Sequence, residues 1–398
     1  MNSELPRRRL VAILLATALL VGVVFLLREW SPPSEPTTSP SNITSILGGD
    51  ATGFERAILP RKFEFPSDHG PHPKFRHEWW YFTGNLATPD KRHFGFQLTF
   101  FRFGLSPEHD VSRKSKWATR QVYMAHFALT DVSNQNFYAF QRYSRSALDL
   151  AGANSQPFRV WLDDWKVDSA RNPEIFPMHL QAAEANVRLD LHLKLGKDLV
   201  LQGDQGLSQK SAQPGNASYY YSFMRIPTDG SVTIEGEQYS VSGLSWMDRE
   251  WGSGALAKNQ VGWDWFALHL SDGRELMFYR LRHQDGSVDA FSGGSLSDKQ
   301  GHTITLRRED VNATPTQYWR SPKTNTNYPL HWRIEIPKAH LILQITPYVN
   351  AQELNLDVVY WEGAVKVKGT SYRQPIGGDG YVELTGYGAE AATKVNTP

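Results

Sequence analysis

The segment 187–194 reads Val-Arg-Leu-Asp-Leu-His-Leu-Lys, in which every second residue is apolar. Successive side chains of an extended strand point to opposite faces, so this pattern predicts a strand with one buried and one solvated face. A similar alternation runs from Phe94 to Phe100. Asp-Gly pairs at 229–230, 272–273 and 285–286 are typical of turns between such strands. The sequence therefore predicts an all-β, antiparallel fold.

The number of strand-like segments sets the domain organisation. From residue 56 onward we find roughly sixteen segments, at the spacing expected of sandwiches and barrels. They are too many for one small barrel, and closed barrels are favoured because they leave no exposed sheet edge. We predict two consecutive barrels, one in residues 56–252 and one in residues 253–398, with the division at 250–257.

The N-terminus has the pattern of an export signal. Three arginines at 7–9 precede an apolar run at 10–27. The run reaches the lower length limit for a membrane span and no convincing cleavage site follows it, so residues 1–30 are either a signal peptide or a signal anchor. Because the arginines precede the span, we expect the body to lie at the periplasmic or extracellular face. Residues 31–55 are Pro/Ser/Thr-rich at their start and predict a linker.

Composition excludes several classes of function. The 398 residues include no cysteine, which rules out disulfides, thiolate nucleophiles and Cys-ligated metal centres. The balance of 42 Lys+Arg against 41 Asp+Glu argues against nucleic-acid binding, which needs a basic surface. Carboxylates and histidines are therefore the candidate catalytic groups.

Six of the 13 tryptophans occur in three short segments that each also carry a carboxylate. The segments are 76–85 (Arg-His-Glu-Trp-Trp-Tyr-Phe-Thr-Gly-Asn), 243–252 (Gly-Leu-Ser-Trp-Met-Asp-Arg-Glu-Trp-Gly) and 262–266 (Gly-Trp-Asp-Trp-Phe). If the second is extended, Trp246, Asp248 and Glu250 share one face, and residues 247, 249 and 251 share the other. A carboxyl group inside an aromatic wall is desolvated, so its pKa should rise and it can act as a general acid near neutrality.

Two interpretations of these segments remain open. Each segment alone is also typical of barrel filling, because Trp and Tyr are common inside β-barrels. Their shared composition favours one common pocket. In the third segment the alternation places Asp264 on the face opposite to Trp263 and Trp265.

Histidine positions give little support for a metal site. His69 and His72 flank a Gly-Pro pair and His77 follows, but a zinc site needs several convergent ligands at a defined spacing. We therefore predict no metal ligands. The sequence also contains no P-loop, HExxH motif or serine-hydrolase elbow. His126 lies in a predicted strand and is typical of a core histidine, and we keep it as a ligand-binding candidate.

The tryptophan segments resemble those of the AttH / carotenoid 1,2-hydratase (CrtC-like) family. The resemblance covers about residues 56–390 and implies a tandem of lipocalin-like β-barrels, in agreement with the strand count. Many members are described as predicted secreted hydrolases. The characterised hydratases add water across the terminal double bond of acyclic carotenoids. Such a reaction needs an acid to protonate the alkene and aromatic faces to stabilise the cation, and no metal or organic cofactor.

Carried onto this sequence, the resemblance implies that Asp248 is the general acid and that Asp264 or Glu250 orients water. Glu78 and His77 would close the site or orient Asp248. The remaining ligand-binding candidates are Trp79, Trp80, Tyr81, His126, Trp246, Trp251, Trp263 and Trp265.

Three functions remain open at this stage. The first is a cofactor-free hydratase or hydrolase acting on an isoprenoid or lipid, and it predicts unpaired carboxylates at an aromatic pocket. The second is a non-catalytic carrier of a hydrophobic ligand, and it predicts carboxylates that face away from the cavity or pair with Arg249. The third is a carbohydrate-active protein with paired carboxylates across an open cleft. We expect a hydrophobic small molecule or lipid as ligand, a membrane contact only through the N-terminal segment, and no nucleic-acid partner.

Overall fold

A computed structural model of the chain describes residues 50–107, 115, 117–254, 256–257 and 259–388. The predicted export segment at 1–30 lies outside these residues, as does most of the predicted linker at 31–55. Among the described residues, none of the helices has the length and apolar character that crossing a bilayer requires.

The first sheet contains 13 antiparallel strands. They are β1 (His77–Ala87), β2 (His93–Gly104), β3 (Gln121–Asp131), β4 (Asn136–Arg145), β5 (Ala151–Ser155), β6 (Phe158–Leu162), β7 (Trp165–Ser169), β8 (Met178–Glu184), β9 (Val187–Leu193), β10 (Val200–Leu201), β11 (Leu207–Gln209), β12 (Ala217–Ile234) and β13 (Glu237–Gly252). Their order is β4-β3-β2-β1-β13-β12-β9-β8-β7-β6-β5, and β10 and β11 also pair with β12.

This sheet curls so that β4 at one end packs against β6, near the other end. Arg142 on β4 donates a hydrogen bond of 2.8 Å to Glu184 at the end of β8, and it also pairs with Asp164 in the β6–β7 turn. Alternate residues fill the interior, as the sequence pattern predicts. In β9 the valine and three leucines are buried, whereas Asp190 and His192 lie on the outer surface.

The second sheet contains ten antiparallel strands. They are β14 (Gln260–Leu270), β15 (Glu275–His283), β16 (Gly293–Ser297), β17 (Thr303–Arg307), β18 (Asn312–Arg320), β19 (Asn327–Ile336), β20 (Leu341–Pro347), β21 (Glu353–Asn355), β22 (Val359–Ser371) and β23 (Gln374–Leu384). Their order is β17-β16-β15-β14-β23-β22-β20-β19-β18, with β21 also paired to β22. The described helical turns are short 3-10 segments at Ser67–His69, Ala147–Asp149, Arg308–Asp310 and Pro337–Ala339.

The all-β prediction is confirmed, and each sheet is barrel-like. The two sheets contain more strands than the roughly sixteen segments found in the sequence, in part because short strands such as β10, β11 and β21 add to the long ones. The first sheet ends at Gly252 and the second begins at Gln260. The predicted division at 250–257 stays a prediction about units that fold independently.

The two sheets also pack against each other. Each has an interior core, and a separate cluster forms where the outer faces of β1, β12 and β13 meet those of β14, β15 and β23. Tyr81, Tyr220 and Trp246 contribute to this cluster from the first sheet, and Trp265 and Tyr279 contribute from the second. The contact between the sheets is therefore rich in aromatic side chains that carry a polar atom.

Candidate functional site

The two faces of strand β13 lie in different environments. Met247 and Trp251 belong to the core of the first barrel, whereas Trp246 belongs to the cluster between the sheets. Asp248 and Glu250 share the face of Trp246 and line a cavity there. The alternation read from the sequence therefore describes β13 correctly, and the face with Asp248 is the one that faces the second sheet.

The cavity between the sheets has a volume of about 120 Å³. It is mainly aromatic, and its polar groups come from both sheets. Its lining residues are His77, Trp79, Tyr81, Phe101, Lys210, Ala217, Ser218, Tyr220, Asp248, Glu250, Gly254, Leu256, Trp263, Trp265, Tyr279, Leu281 and Glu383.

Asp248 has the geometry of a buried acid. Its side chain accepts hydrogen bonds from the Tyr220 hydroxyl at 2.5 Å, from Ser222 at 2.6 Å and from the Trp246 indole at 2.7 Å. None of these three hydrogen-bond donors is a cation. Burial raises the pKa of Asp248 to about 7, although the three hydrogen bonds favour the ionised form. The carboxyl group is therefore able to hold and release a proton near neutrality.

Glu250, two residues further along the same face, has a cationic neighbour. Lys210 lies 3.2 Å from its carboxylate, and the Ser218 hydroxyl donates to it. The Lys210 ammonium also lies 4.4 Å from the centre of the Tyr279 ring. This ion pair lies beside Asp248 in the cavity lining.

A second pair of carboxyl groups comes from the other sheet. Glu362 on β22 is directly opposite Glu383 on β23, and each carboxyl group shifts the pKa of the other. Burial raises the pKa of Glu383 to about 7, and the nearby charge of Asp248 adds to this shift. Burial, followed by the charge of Glu383, holds the pKa of Glu362 well above its usual range. Because two adjacent buried carboxylates repel each other, the pair holds at least one proton near neutrality.

The partners of this pair orient it towards the cavity. The Trp263 indole donates to Glu383 at 2.7 Å, and the Tyr81 hydroxyl donates to Glu362 at 2.6 Å. His77 adds a neutral imidazole to the lining, because burial lowers its pKa to about 3. Its Nδ1 atom is buried and has no hydrogen-bond partner within the described part of the chain.

Glu78 does not reach the cavity, contrary to the role that the resemblance implies. Its side chain points into the first barrel, where Arg102 and Arg249 both bond to it. Burial acts to raise the pKa of Glu78, but the two guanidinium groups outweigh it and hold the pKa well below its usual value. Glu78 is one residue out of phase with Trp79 and Tyr81, so the strand alternation sends it to the opposite face.

Asp264 is also placed away from the cavity. It lies inside the second barrel, where it accepts a hydrogen bond of 2.6 Å from Tyr387 and pairs with Arg280 and Arg282 at 3.2 and 3.1 Å. Its neighbours Trp263 and Trp265 line the cavity. The role of orienting water therefore does not fit Asp264, because the pleat separates it from both tryptophans.

Three further candidates are structural in this arrangement. The Trp80 ring lies beneath the Arg249 guanidinium, 3.9 Å from its centre, and Trp251 stacks on His72 at 3.8 Å, both inside the first barrel. His126 bonds to the Tyr360 hydroxyl at 2.8 Å outside the cavity lining. Of the predicted site residues, the cavity lining brings together His77, Trp79, Tyr81, Asp248, Glu250, Trp263 and Trp265, with Trp246 behind Asp248.

Several residues of the site were missed from the sequence. Tyr220 and the two serines beside it occupy alternate positions of β12, opposite Asp248 and Glu250 in the β12–β13 register. Hydroxyl groups at 218, 220 and 222 are a signal that could have marked this face. Glu362 and Glu383 belong to no local motif, and only the pairing of β22 with β23 brings them together.

Comparison with known proteins agrees with this architecture. A family model described as AttH-like matches residues 56–387. The chain belongs to the AttH-like family. The structure of an AttH protein from Nitrosomonas europaea is 35% identical and has a TM-score of 0.74, over 84% of this chain and 100% of that one. The predicted family and the tandem barrel-like fold are therefore confirmed.

Two further relatives of this AttH-like chain carry names of enzymes. The kievitone hydratase of Nectria haematococca is 16% identical, with a TM-score of 0.63 over 84% of this chain and 96% of that one, and this likeness concerns the fold. Dehydratase asqC of Emericella nidulans is 25% identical over 185 residues, or 44% of this chain. That match spans about half the length of the curated relative, 50%.

Proposed function

We propose that this chain is a hydratase or dehydratase that acts on a hydrophobic substrate held between the two sheets. The observation that carries the proposal is Asp248, a buried carboxyl group with a pKa raised to about 7, facing an aromatic cavity. The reaction class is supported by two relatives whose names describe a hydratase and a dehydratase. A general acid near neutrality is the group that either direction of this reaction requires.

In the hydration direction, Asp248 donates its proton to one carbon of a double bond, and the π electrons form the new C–H bond. The positive charge on the second carbon lies among aromatic rings, whose faces stabilise cations. A water oxygen then adds to that carbon, and its surplus proton passes to a carboxylate, which restores the starting charge. Dehydration is the reverse, with the acid protonating the departing hydroxyl group.

The carboxylate that accepts the surplus proton in this scheme belongs to the Glu383–Glu362 pair. Glu383 lines the cavity from the other sheet, and its pKa of about 7 allows it to gain or lose a proton under the same conditions as Asp248. Glu250, paired with Lys210, is suited to holding the water. The acid and the base then come from different sheets.

Cavity size limits what can bind. A dry cavity of ~150 Å³ holds a molecule about as large as benzene, and this cavity is about 120 Å³. It therefore fits a branched alkene or alcohol end of an isoprenoid or lipid, with the rest of the substrate outside the enclosed volume. An isoprenoid or lipid is the substrate class we propose.

The test uses the full-length chain with acyclic terpenoid alkenes and the corresponding tertiary alcohols, in ordinary and in heavy water. Mass spectrometry should detect gain or loss of one water, with one deuterium on carbon after hydration in heavy water. Asp248→Asn should abolish this change, whereas Asp264→Asn, corrected for folded protein, should retain it. Full turnover by Asp248→Asn would refute the acid assignment, and binding without turnover across the panel would favour a carrier.

We further propose that residues 1–30 direct export and hold the chain at the outer side of a membrane, on the basis of the three arginines and the apolar run at 10–27. Protease added to intact cells whose outer barrier is permeabilised should digest the body of the chain. Protection equal to that of a cytoplasmic marker would contradict this proposal.

A further inference from the structure

A cluster of metal-binding side chains lies on the outer face of the first barrel. The β8–β9 pairing places His179 directly opposite His192, and Asp190 lies on the same face two residues before His192. One ring nitrogen from each histidine and one carboxylate oxygen of Asp190 all lie within 4.8 Å of one another. We propose that these three residues bind a divalent transition-metal ion of the zinc class.

The alternation of the strands explains why these donors meet in solvent. In β9 the intervening residues Leu189 and Leu191 are buried in the barrel core, as is Leu180 in β8. The polar residues therefore line the outer face, where the side chains of His179 and Asp190 are 27% and 26% exposed. An ion has direct access to the donor atoms without opening the fold.

The present contacts already bring the donor groups close to one another. The Nε2 atom of His179 lies 2.6 Å from Oδ1 of Asp190, and the two imidazole rings stack with centres 4.6 Å apart and planes 15° apart. Zinc–nitrogen bonds are ~2.0–2.1 Å long, so small rotations of these side chains would bring the donors around one ion. Histidine binds metal ions in its neutral form, so binding would weaken as pH falls.

Charged residues on the neighbouring strands affect how strongly the cluster attracts a cation. The pairing of β7 with β8 places Asp168 beside His179, and that of β9 with β12 places Asp229 beside His192. Basic residues neutralise part of this charge: Lys166 pairs with Asp168, Lys194 with Asp229, and Arg188 with Asp190.

One oxygen of Asp190 is directed towards the histidines. Arg188 and Gln181 both contact the other oxygen, Oδ2, at 3.0 Å, which leaves Oδ1 on the side of the histidines.

Ligand chemistry selects the class of ion. Two imidazoles and one carboxylate favour zinc, copper, nickel or cobalt, whereas calcium and magnesium prefer sites built from oxygen alone. The donors come from two neighbouring strands, so a bound ion would join β8 to β9. The site belongs to the outer face of the first sheet and is separate from the cavity, so it stands or falls independently of the proposed enzyme activity.

The test is zinc titration of the tag-free, full-length chain by calorimetry, with cobalt(II) absorption as a second readout. We expect one ion per chain. His192→Ala should weaken binding by at least about 10–100-fold, because that is the loss when a residue that only hydrogen-bonds to a metal ligand is replaced. The matched control is His302→Ala, because exposed His302 also pairs with an aspartate, at 3.1 Å, but is outside the described three-residue cluster.

Because His192 is exposed, its replacement should leave the fold intact, which the cobalt-free circular dichroism spectrum checks. Lowering the pH below the histidine range should release the ion from the wild-type chain. Wild-type affinity no greater than that of His192→Ala, or an equal loss in His302→Ala, would overturn the proposal.

Discussion

Two buried carboxyl sites lie on opposite sides of β13. On one side, Glu78 inside the first barrel is bonded to Arg102 and Arg249, and its pKa is held well below the usual value. On the other side, Asp248 faces the second sheet among neutral donors, and its pKa is raised to about 7. Both side chains are almost fully buried, with exposed fractions of 0% and 4%.

The comparison shows that the partners of a buried carboxyl group, and not burial alone, decide whether it carries a charge. Two guanidinium groups make Glu78 a permanent anion that holds the structure together. Hydroxyl and indole donors leave Asp248 close to its protonated state, because dipoles offset only part of the desolvation cost. The paired strands β1 and β13 therefore provide a structural anion on the inner face of the first barrel and a candidate acid on its outer face.

The largest effect expected is on stability. Replacing Glu78 by Gln leaves two buried guanidinium groups without their counter-charge and should lower the free energy of unfolding by about 3–5 kcal/mol. Asp248→Asn should cost only about 1–2 kcal/mol, because it replaces a neutral hydrogen-bonded group. Urea unfolding followed by tryptophan fluorescence measures both. Equal losses would mean that the two sites do not differ in charge.

The next effect concerns turnover. If Asp248 is the acid of the proposed reaction, Asp248→Asn should lower the rate by at least about 100-fold, the lower range for general acid catalysis. Glu383→Gln should lower it as well, because it removes a proton acceptor from the opposite wall. Asp264→Asn serves as the control, because Asp264 lies on β14 of the second sheet but on the face that points away from the cavity. A rate for Asp248→Asn within a few-fold of wild type would contradict the assignment.

The pH dependence of stability should have opposite signs at the two sites. The folded-state pKa of Asp248 is about 7, above its ordinary value of 3.8, so the folded chain retains a proton that the unfolded chain has lost. Stability from this group therefore falls as pH rises from about 4 to about 7, by at most ~1.4 kcal/mol per pH unit. Glu78 has a lowered pKa, so its contribution is lost as pH falls below the ordinary glutamate range.

Unfolding free energies measured across this range test that difference. In Asp248→Asn, the free energy of unfolding should decline less steeply between about pH 4 and about pH 7, by the contribution of one proton. The loss of stability at lower pH, which comes from Glu78, should be unchanged. An unchanged slope would show that Asp248 is ionised throughout.

The smallest effect is expected at Trp263. Its indole donates to Glu383 and thereby favours the ionised form of that carboxyl group. Trp263→Phe should raise the pKa of Glu383, by less than ~1 unit, since a single neutral hydrogen bond contributes about 1 kcal/mol. The shift should appear in the pH profile of kcat/KM for the proposed reaction, and Phe101→Leu, at another lining residue, is the control. A fall in that pKa would contradict the expected direction.

The sequence was sufficient to predict the fold because the strands alternate over most of the chain. The face of β13 that carries Asp248 followed from the same alternation. The alternation does not say which face meets a cavity when both faces are buried, and Glu78 and Asp264 lie on faces that do not line it. Each instead forms ion pairs inside a barrel.

The rest of the site depends on contacts between distant segments. Glu362 and Glu383 meet only because β22 pairs with β23, and they reach Asp248 only because the second sheet packs on the first. His179 and His192 are 13 positions apart and become neighbours through the β8–β9 register. No local spacing rule predicts such pairs, so the second acid and the candidate metal cluster required the structure.

The central claim is that Asp248 is a protonated acid near neutrality. Infrared difference spectra of the carboxyl stretch, recorded from about pH 5 to about pH 9, measure this directly in the wild-type chain and in Asp248→Asn and Glu383→Gln. We predict that the protonated-carboxyl absorbance decreases as pH rises through about 7, that the decrease is smaller in each single variant, and that it is absent there in the variant carrying both substitutions. A band of unchanged amplitude in Asp248→Asn would contradict the account.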